Sequence, residues 1–258
     1  MLDTHEIPSL YLGLTRRITV WLPPRVSARR AGRHPVLYLN DGQNLFDPAT
    51  AYIGVDWQAD EAADRLIREG RIPPLIIVGI DNAQKERPRE YLPYRSFHPP
   101  IMRPQGKRYP DFLLKEVMPF VYQRYRIARG PENTGLGGSS LGAIISLYTV
   151  LDRPGIFGRL LLESPSLYIS NRRLLRASRA FRQWPARIFM AMGTREVGNE
   201  ERDREVVEDV RELERVLRRA GQGADHLLVR IDEGAIHSEK EWARRFPDAL
   251  VFLFGELS

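Results

Sequence analysis

The sequence predicts an α/β fold in which a mostly parallel central sheet is flanked by helices on both faces, formed by one domain of 258 residues. Three observations predict it. Short apolar runs of strand length recur along the chain, several of them apolar at nearly every position, as strands buried on both faces are. They alternate with stretches of helical periodicity, the pattern of parallel sheets built from crossovers. No internal repeat, low-complexity tract or interdomain linker interrupts the alternation, and 43% hydrophobic content is enough for one substantial core.

In chain order the strand-like runs are RITVWLPP, HPVLYLND, PPLIIVGID, NTGLGGS, RLLLESP, ARIFMAMGT and DHLLVRIDEG. The first one or two have little helix between them, so an antiparallel pairing at one sheet edge is expected there. Helical periodicity covers 60–70, 111–125, 141–152, 200–220 and 242–253. Residues 82–110 lack clear periodicity. A loop of that length inside a compact domain is uncommon and is often functional. Since it follows a parallel strand, it is expected to start at the carboxyl edge of the sheet, where open α/β folds bind ligands.

Composition excludes several classes of function. The chain has no cysteine, which removes a disulfide framework, a thiolate zinc site and a cysteine nucleophile. Its N-terminus carries Asp3 and Glu6 without a basic region followed by an apolar one, and no apolar run reaches bilayer length. A soluble, cytoplasmic protein that does not bind membranes is expected. The formal net charge is +6, but the cations are nearly all Arg and are interleaved with acids, as in EERDREVVEDVRELERVLRRAG. On a helix such spacing forms i to i+3 and i+4 ion pairs, so no nucleic-acid partner is expected.

The stretch NTGLGGSSLGAIISLY crowds small residues between a strand-like and a helix-like run. In the frame Gly138-Ser139-Ser140-Leu141-Gly142 it reads G-x-S-x-G, a nucleophile elbow that holds Ser140 on a tight strand-to-helix turn. A serine hydroxyl needs a base to take its proton and a third group to orient that base. Of the five histidines, His5 lies near the terminus, His34 precedes a strand and His226 begins one. His237, in DEGAIHSEKEW, follows a strand and precedes a helix, so it is the expected base; His98, in the long loop, competes with it.

On this motif's fold the chain order is Ser, acid, His. That order confines the acid to a loop between Ser140 and His237, where Glu196, Glu200, Glu201 and Asp203 follow an apolar strand. Glu196 is nearest the strand end and is preferred, followed by Asp203, with Glu163 an outsider. Oxyanion donors are expected from the Leu141 N–H and from the turn at Gly42 and Gln43, after the strand HPVLYLND. No cofactor or metal is required.

Together these pieces resemble the esterase family of α/β-hydrolases that includes esterase D, the enterochelin esterases and feruloyl or acetyl-xylan esterases. The resemblance runs through VLYLNDGQNLFD, IVGIDN, REYLPY, DFLLKEVMPFVYQRYR, GLGGSSLGAIISLY, ESPSLY, MAMGTREVG and GAIHSEKEWARRF. It implies the α/β-hydrolase fold, with Ser140 as nucleophile, His237 as base and Glu196 as acid, some members working as a Ser-His dyad. Ala143 stands where many members carry a further glycine.

The function expected is a serine esterase passing through an acyl-enzyme. An acyltransferase using the same residues is the first alternative, and a non-catalytic binding protein the second. The expected partner is a small-molecule ester, siderophore-type or hydroxycinnamoyl if the long loop covers the site, where Arg87, Arg89, Arg95, Arg103, Lys107 and Arg108 interleave with Tyr91, Tyr94 and Phe97; the other reading of these residues is a solvated loop whose arginines pair with Glu86, Glu90 and backbone carbonyls. Arg89 and Tyr91 are the expected substrate contacts in that loop.

Overall fold

The computed structural model describes residues 1–24 and 32–256. Its strands are β1 (Leu2–Pro8), β2 (Thr15–Trp21), β3 (Val36–Asn40), β4 (Ile76–Ile80), the short β5 (Ser96–Phe97) and β6 (Pro100–Ile101), β7 (Thr134–Ser139), β8 (Arg159–Glu163), β9 (Arg187–Arg195) and β10 (Leu227–Ile236). Its helices are α1 (Ala59–Arg68), α2 (Arg87–Tyr91), α3 (Tyr109–Phe112), α4 (Met118–Arg124), α5 (Leu141–Asp152), α6 (Ile169–Ser178), α7 (Glu200–Arg219) and α8 (Glu239–Phe254). A π-helical turn, Leu113–Val117, joins α3 to α4.

Eight strands form one sheet in the order β1-β2-β4-β3-β7-β8-β9-β10. β1 pairs antiparallel with β2, and β2 antiparallel with β4; from β4 to β10 every ladder is parallel. The antiparallel edge is therefore as expected from the scarcity of helix there, and the whole is the α/β-hydrolase fold. Side-chain alternation sends each strand's residues to two cores. Leu37 and Leu39 of β3, Ile77, Leu161 and Phe189 pack under α1 and α8, with Trp57, Trp242 and Phe246. Val36, Tyr38, Val78, Leu160, Leu162 and Met190 face the opposite core, shared with α3 to α7.

Strand order reverses between β3 and β7: the chain leaves β3 toward β4 on one side and later returns to β7 on the other. Carboxyl-end loops diverge at such a switch point and leave a crevice there. The loops at this crevice are the Gly42–Asn44 turn after β3 and Ser140 after β7.

Three parts of the chain depart from expectation. β1 is an edge strand in which only Ile7 is buried, so it lacks the apolar signal that marks the inner strands. α6 was not foreseen, and its first turn explains why: Ser170, Asn171 and Arg172 all have left-handed φ of 54–56°, a conformation that helical periodicity does not register. The 82–110 stretch is not structureless, because it folds as a 3-10 turn at Gln84–Glu86, α2, the β5-β6 ladder and a second 3-10 turn at Gly106–Arg108. The buried Arg16–Glu90 ion pair fastens it to β2.

Candidate active site

Ser140 stands between β7 and α5 with φ 55° and ψ −120°, a sparsely populated conformation for a residue with a Cβ. The surroundings hold it there. Its N–H donates to the Glu163 carbonyl at the end of β8 (2.9 Å), and the Ile144 N–H returns to the Ser140 carbonyl (3.2 Å). Beneath the turn, Asn40 Nδ2 donates to the Gly137 and Gly142 carbonyls (3.2 Å each) and to Ser146 Oγ (2.8 Å), while Tyr109 donates to its Oδ1. A Cβ on Gly142 would lie 2.7 Å from Asp41 Oδ2 and one on Gly138 2.9 Å from the Gly142 carbonyl carbon, so the two glycines let the elbow close against β3 without displacing these neighbours. The Ser140 hydroxyl rests 3.3 Å from Ser166 Oγ.

His237 follows β10 and its Nδ1 lies 2.5 Å from Glu196 Oε2. A carboxylate only accepts, so Nδ1 carries the proton and Nε2 is the free acceptor. Glu196 is buried at the end of β9. Its other oxygen accepts from the Gly193 N–H (2.6 Å) and from Ser164 Oγ (2.9 Å). Ser164 in turn accepts from Trp242 Nε1 (3.0 Å), and the Trp242 ring stands edge-on to His237 at 5.0 Å between centroids.

Of the candidate acids, Glu196 is the one that meets an imidazole. Asp203 accepts the Val197 N–H (2.7 Å) and so braces the loop that carries Glu196. Glu163 is fully buried against Arg245 Nε (2.9 Å), and burial pushes its carboxyl up to about 8 although Arg245 pulls the other way. The sites of Ser140, Glu196 and His237, at the ends of β7, β9 and β10, share one sheet edge. His98 lies elsewhere on that edge, exposed in the wall of a cleft.

Leu141 is the first residue of α5, and Gln43 sits in the first turn of the Gly42–Asn44 3-10 helix. N–H groups at such positions have no acceptor within their own helix and point outward. A Cβ at Gly42 would stand 2.5 Å from the Gly79 carbonyl carbon of β4, which ties this turn to the sheet. Asp41, at φ 61°, precedes it. The Asp41 carboxylate takes Arg87 Nε (2.6 Å), Arg87 Nη2 (2.7 Å) and Asn82 Nδ2 (2.6 Å). Burial disfavours the Arg87 charge, but Asp41 more than offsets this and the guanidinium pKa rises. The Asp41–Arg87 lock was not visible in the sequence, because its partners are 46 residues apart and each looks like an ordinary loop residue.

The two expected substrate contacts of the long loop are placed differently. Tyr91 is fully buried and its hydroxyl accepts the Asp41 N–H (3.2 Å), so it braces the turn from behind instead of facing a ligand. Arg89 is turned outward onto Glu86 (3.3 Å) and the Arg103 carbonyl (3.2 Å). Arg95, Arg103 and Lys107 of the same stretch do line a cleft, of about 1240 Å³, together with Tyr94 and Phe97. Among the described residues no cluster of His, Asp and Glu is arranged to hold a metal, and no helix is long and apolar enough to cross a membrane.

The model of the family described as "Putative esterase" matches residues 9–253. The protein YbbA of Bacillus subtilis (strain 168) is 27% identical over 247 residues, covering 93% of each chain. The ferri-bacillibactin esterase BesA of the same organism is 23% identical over 214 residues, 74% of this chain and 70% of BesA. Among solved structures, the enterobactin esterase FES from Shigella flexneri, in the presence of enterobactin, superposes with a TM-score of 0.77 at 19% identity. The superposition covers 98% of this chain and 58% of that one.

Proposed function

Because the chain belongs to this esterase family and is a carboxylic ester hydrolase, we propose that it works as a serine esterase through Ser140, His237 and Glu196. Ser140 Oγ attacks the acyl carbon as His237 Nε2 takes its proton; the imidazolium is held by Glu196, and the Leu141 and Gln43 amides receive the oxyanion. Collapse expels the alcohol, protonated by His237. Water, activated by the same nitrogen, then releases the acid and restores Ser140.

The observation that carries the reading is the 2.5 Å Glu196–His237 contact at the sheet edge that also presents Ser140 at φ 55°. Neither feature has a use in the core. For the substrate, a siderophore-type or aromatic ester is proposed. This is supported by the names of BesA and FES and by the aromatic residues Tyr94, Phe97 and Tyr168 along the neighbouring cleft. The test is intact-mass analysis after a fluorophosphonate, with wild type, Ser140→Ala and His237→Ala compared. One adduct on wild type and none on Ser140→Ala is expected; labelling that survives Ser140→Ala removes the reading.

A further inference from the structure

Beside the nucleophile the chain builds a cleft whose charge the proposed chemistry does not use. Ser166, which touches Ser140, is followed two residues later by Tyr168, and Tyr168 is part of the cleft wall. Three segments distant in sequence contribute six cations to that wall: Arg95, Arg103 and Lys107 from the 82–110 stretch, Arg173 and Arg176 from α6, and Arg202 from the first turn of α7. Among the described residues no Asp or Glu lines it. Among the described residues none of the six takes part in an ion pair, and all are exposed.

Their neighbours behave differently. Arg89 holds Glu86, Arg172 holds Asp209 and Arg179 holds Glu212. Several cations of these same segments outside the cleft thus pair with a carboxylate, and none of the six inside it does. Two of the cations are positioned by an aromatic ring instead: the Arg173 guanidinium lies 4.2 Å from the Tyr94 centroid and the Lys107 ammonium 5.8 Å from it. Tyr94 is itself fixed, since its carbonyl accepts Ser170 Oγ (3.2 Å) from the left-handed turn that opens α6.

Like charges gathered in one cleft repel, more strongly beside protein than in bulk water. Six gathered without a counter-charge therefore oppose the fold. An anion seated among them reverses that term and is also drawn in from solution.

We propose that this cleft seats a part of the substrate bearing two or more negative charges on oxygen, so that the site selects polyanionic esters over neutral ones. The inference rests on the serine-esterase reading for its link to turnover, but not for binding. Carboxylate and phosphate groups share the required chemistry. The probes are therefore propane-1,2,3-tricarboxylate and pyrophosphate, with benzoate as a flat, singly charged control.

Each probe is titrated calorimetrically into wild type and tested as an inhibitor of p-nitrophenyl butyrate hydrolysis. At least one polyanion is expected to bind and inhibit ten or more times better than benzoate, weakening as salt is raised from 50 to 300 mM. Arg95→Glu/Arg173→Glu is expected to weaken it at least tenfold, whereas Arg182→Glu/Arg215→Glu, which lie outside the cleft wall, leaves binding as in wild type. The stronger polyanion identifies the group recognised.

Equal binding of benzoate and both polyanions, or polyanion binding insensitive to the cleft reversals, overturns the proposal. Absence of a Ser140-dependent fluorophosphonate adduct on wild type would remove the serine-esterase reading while leaving the calorimetric result to decide the cleft.

Discussion

Glu196 Oε2 and His237 Nδ1 meet at 2.5 Å, and the carboxylate's second oxygen is occupied by the Gly193 N–H and Ser164 Oγ. The Glu196 carboxylate is thereby fixed in position where it meets the imidazole. Glu196→Gln keeps the shape but presents an amide, which either loses the Nδ1 hydrogen bond or forces the imidazole into the wrong tautomer. A fall in kcat on the order of 10³ to 10⁴ is expected, with folding intact by circular dichroism. Asp203→Asn retains an acceptor for the Val197 N–H and is expected to change kcat by about threefold or less. If the two variants exchanged places, Asp203 would be the acid.

Ser164 and Trp242 act on Glu196 in series. Ser164→Ala removes a donor from the buried carboxylate and leaves Trp242 Nε1 without its acceptor. Breaking a hydrogen bond to a buried charge is worth about 1.5–3 kcal/mol, so kcat/KM is expected to fall by roughly 10- to 100-fold. The pH profile separates positioning from general loosening. Without the Ser164 donor the carboxylate is less well stabilised, and the acid limb of kcat/KM should move; a uniform drop at every pH would mean lost structure alone.

How far the site could be read from the chain depends on whether a feature is local. The elbow was legible because its turn, its glycines and the helix after it are contiguous, and His237 because a post-strand loop is a local pattern. The parallel strands announced themselves by runs apolar on both faces. The Asp41–Arg87 lock, Tyr91 behind the turn and Asn40 beneath the elbow are partnerships across the chain, invisible to periodicity. The first turn of α6 was missed for a different reason: three successive left-handed residues leave no periodic trace.

Fully buried Arg245 reaches Glu163 at 2.9 Å, while its two terminal nitrogens find no hydrogen bond. Removing Glu163 leaves the buried Arg245 guanidinium with only Asp232 Oδ2, 3.5 Å from Nη1, as counter-charge, whereas removing Arg245 leaves a carboxyl that burial, raising it to about 8, keeps protonated. Glu163→Leu is expected to destabilise the fold by about 3 kcal/mol in urea unfolding, and Glu163→Leu/Arg245→Met to recover most of that loss. Additive losses in the double variant would show that the pair is not the source of the effect. Because the Glu163 carbonyl also holds the Ser140 N–H, the single variant should lose activity below the temperature at which it unfolds.

Asp81 gives the stability a pH dependence. It follows β4 and lies under the Gly42–Asn44 turn, its Oδ1 2.9 Å from where a Gly42 Cβ would stand. Burial raises its carboxyl to about 6 from 3.8, Arg17 and Arg16 opposing and Asp41 adding to the rise. A carboxyl with a higher pKa folded than unfolded binds its proton more tightly in the folded state. Its contribution is therefore intact below the unfolded value of 3.8 and is lost as pH climbs through about 6. Asp81→Asn mimics the protonated form at every pH. It should leave Tm near that of wild type at pH 4 and raise it by about 2–4 °C at pH 8, the shift expected for roughly 1 kcal/mol in a chain of this size. Thermal unfolding at pH 4, 6 and 8 decides it. A Tm difference that is the same at all three values would mean that Asp81 carries no raised pKa, and that packing under the turn is what the substitution changed.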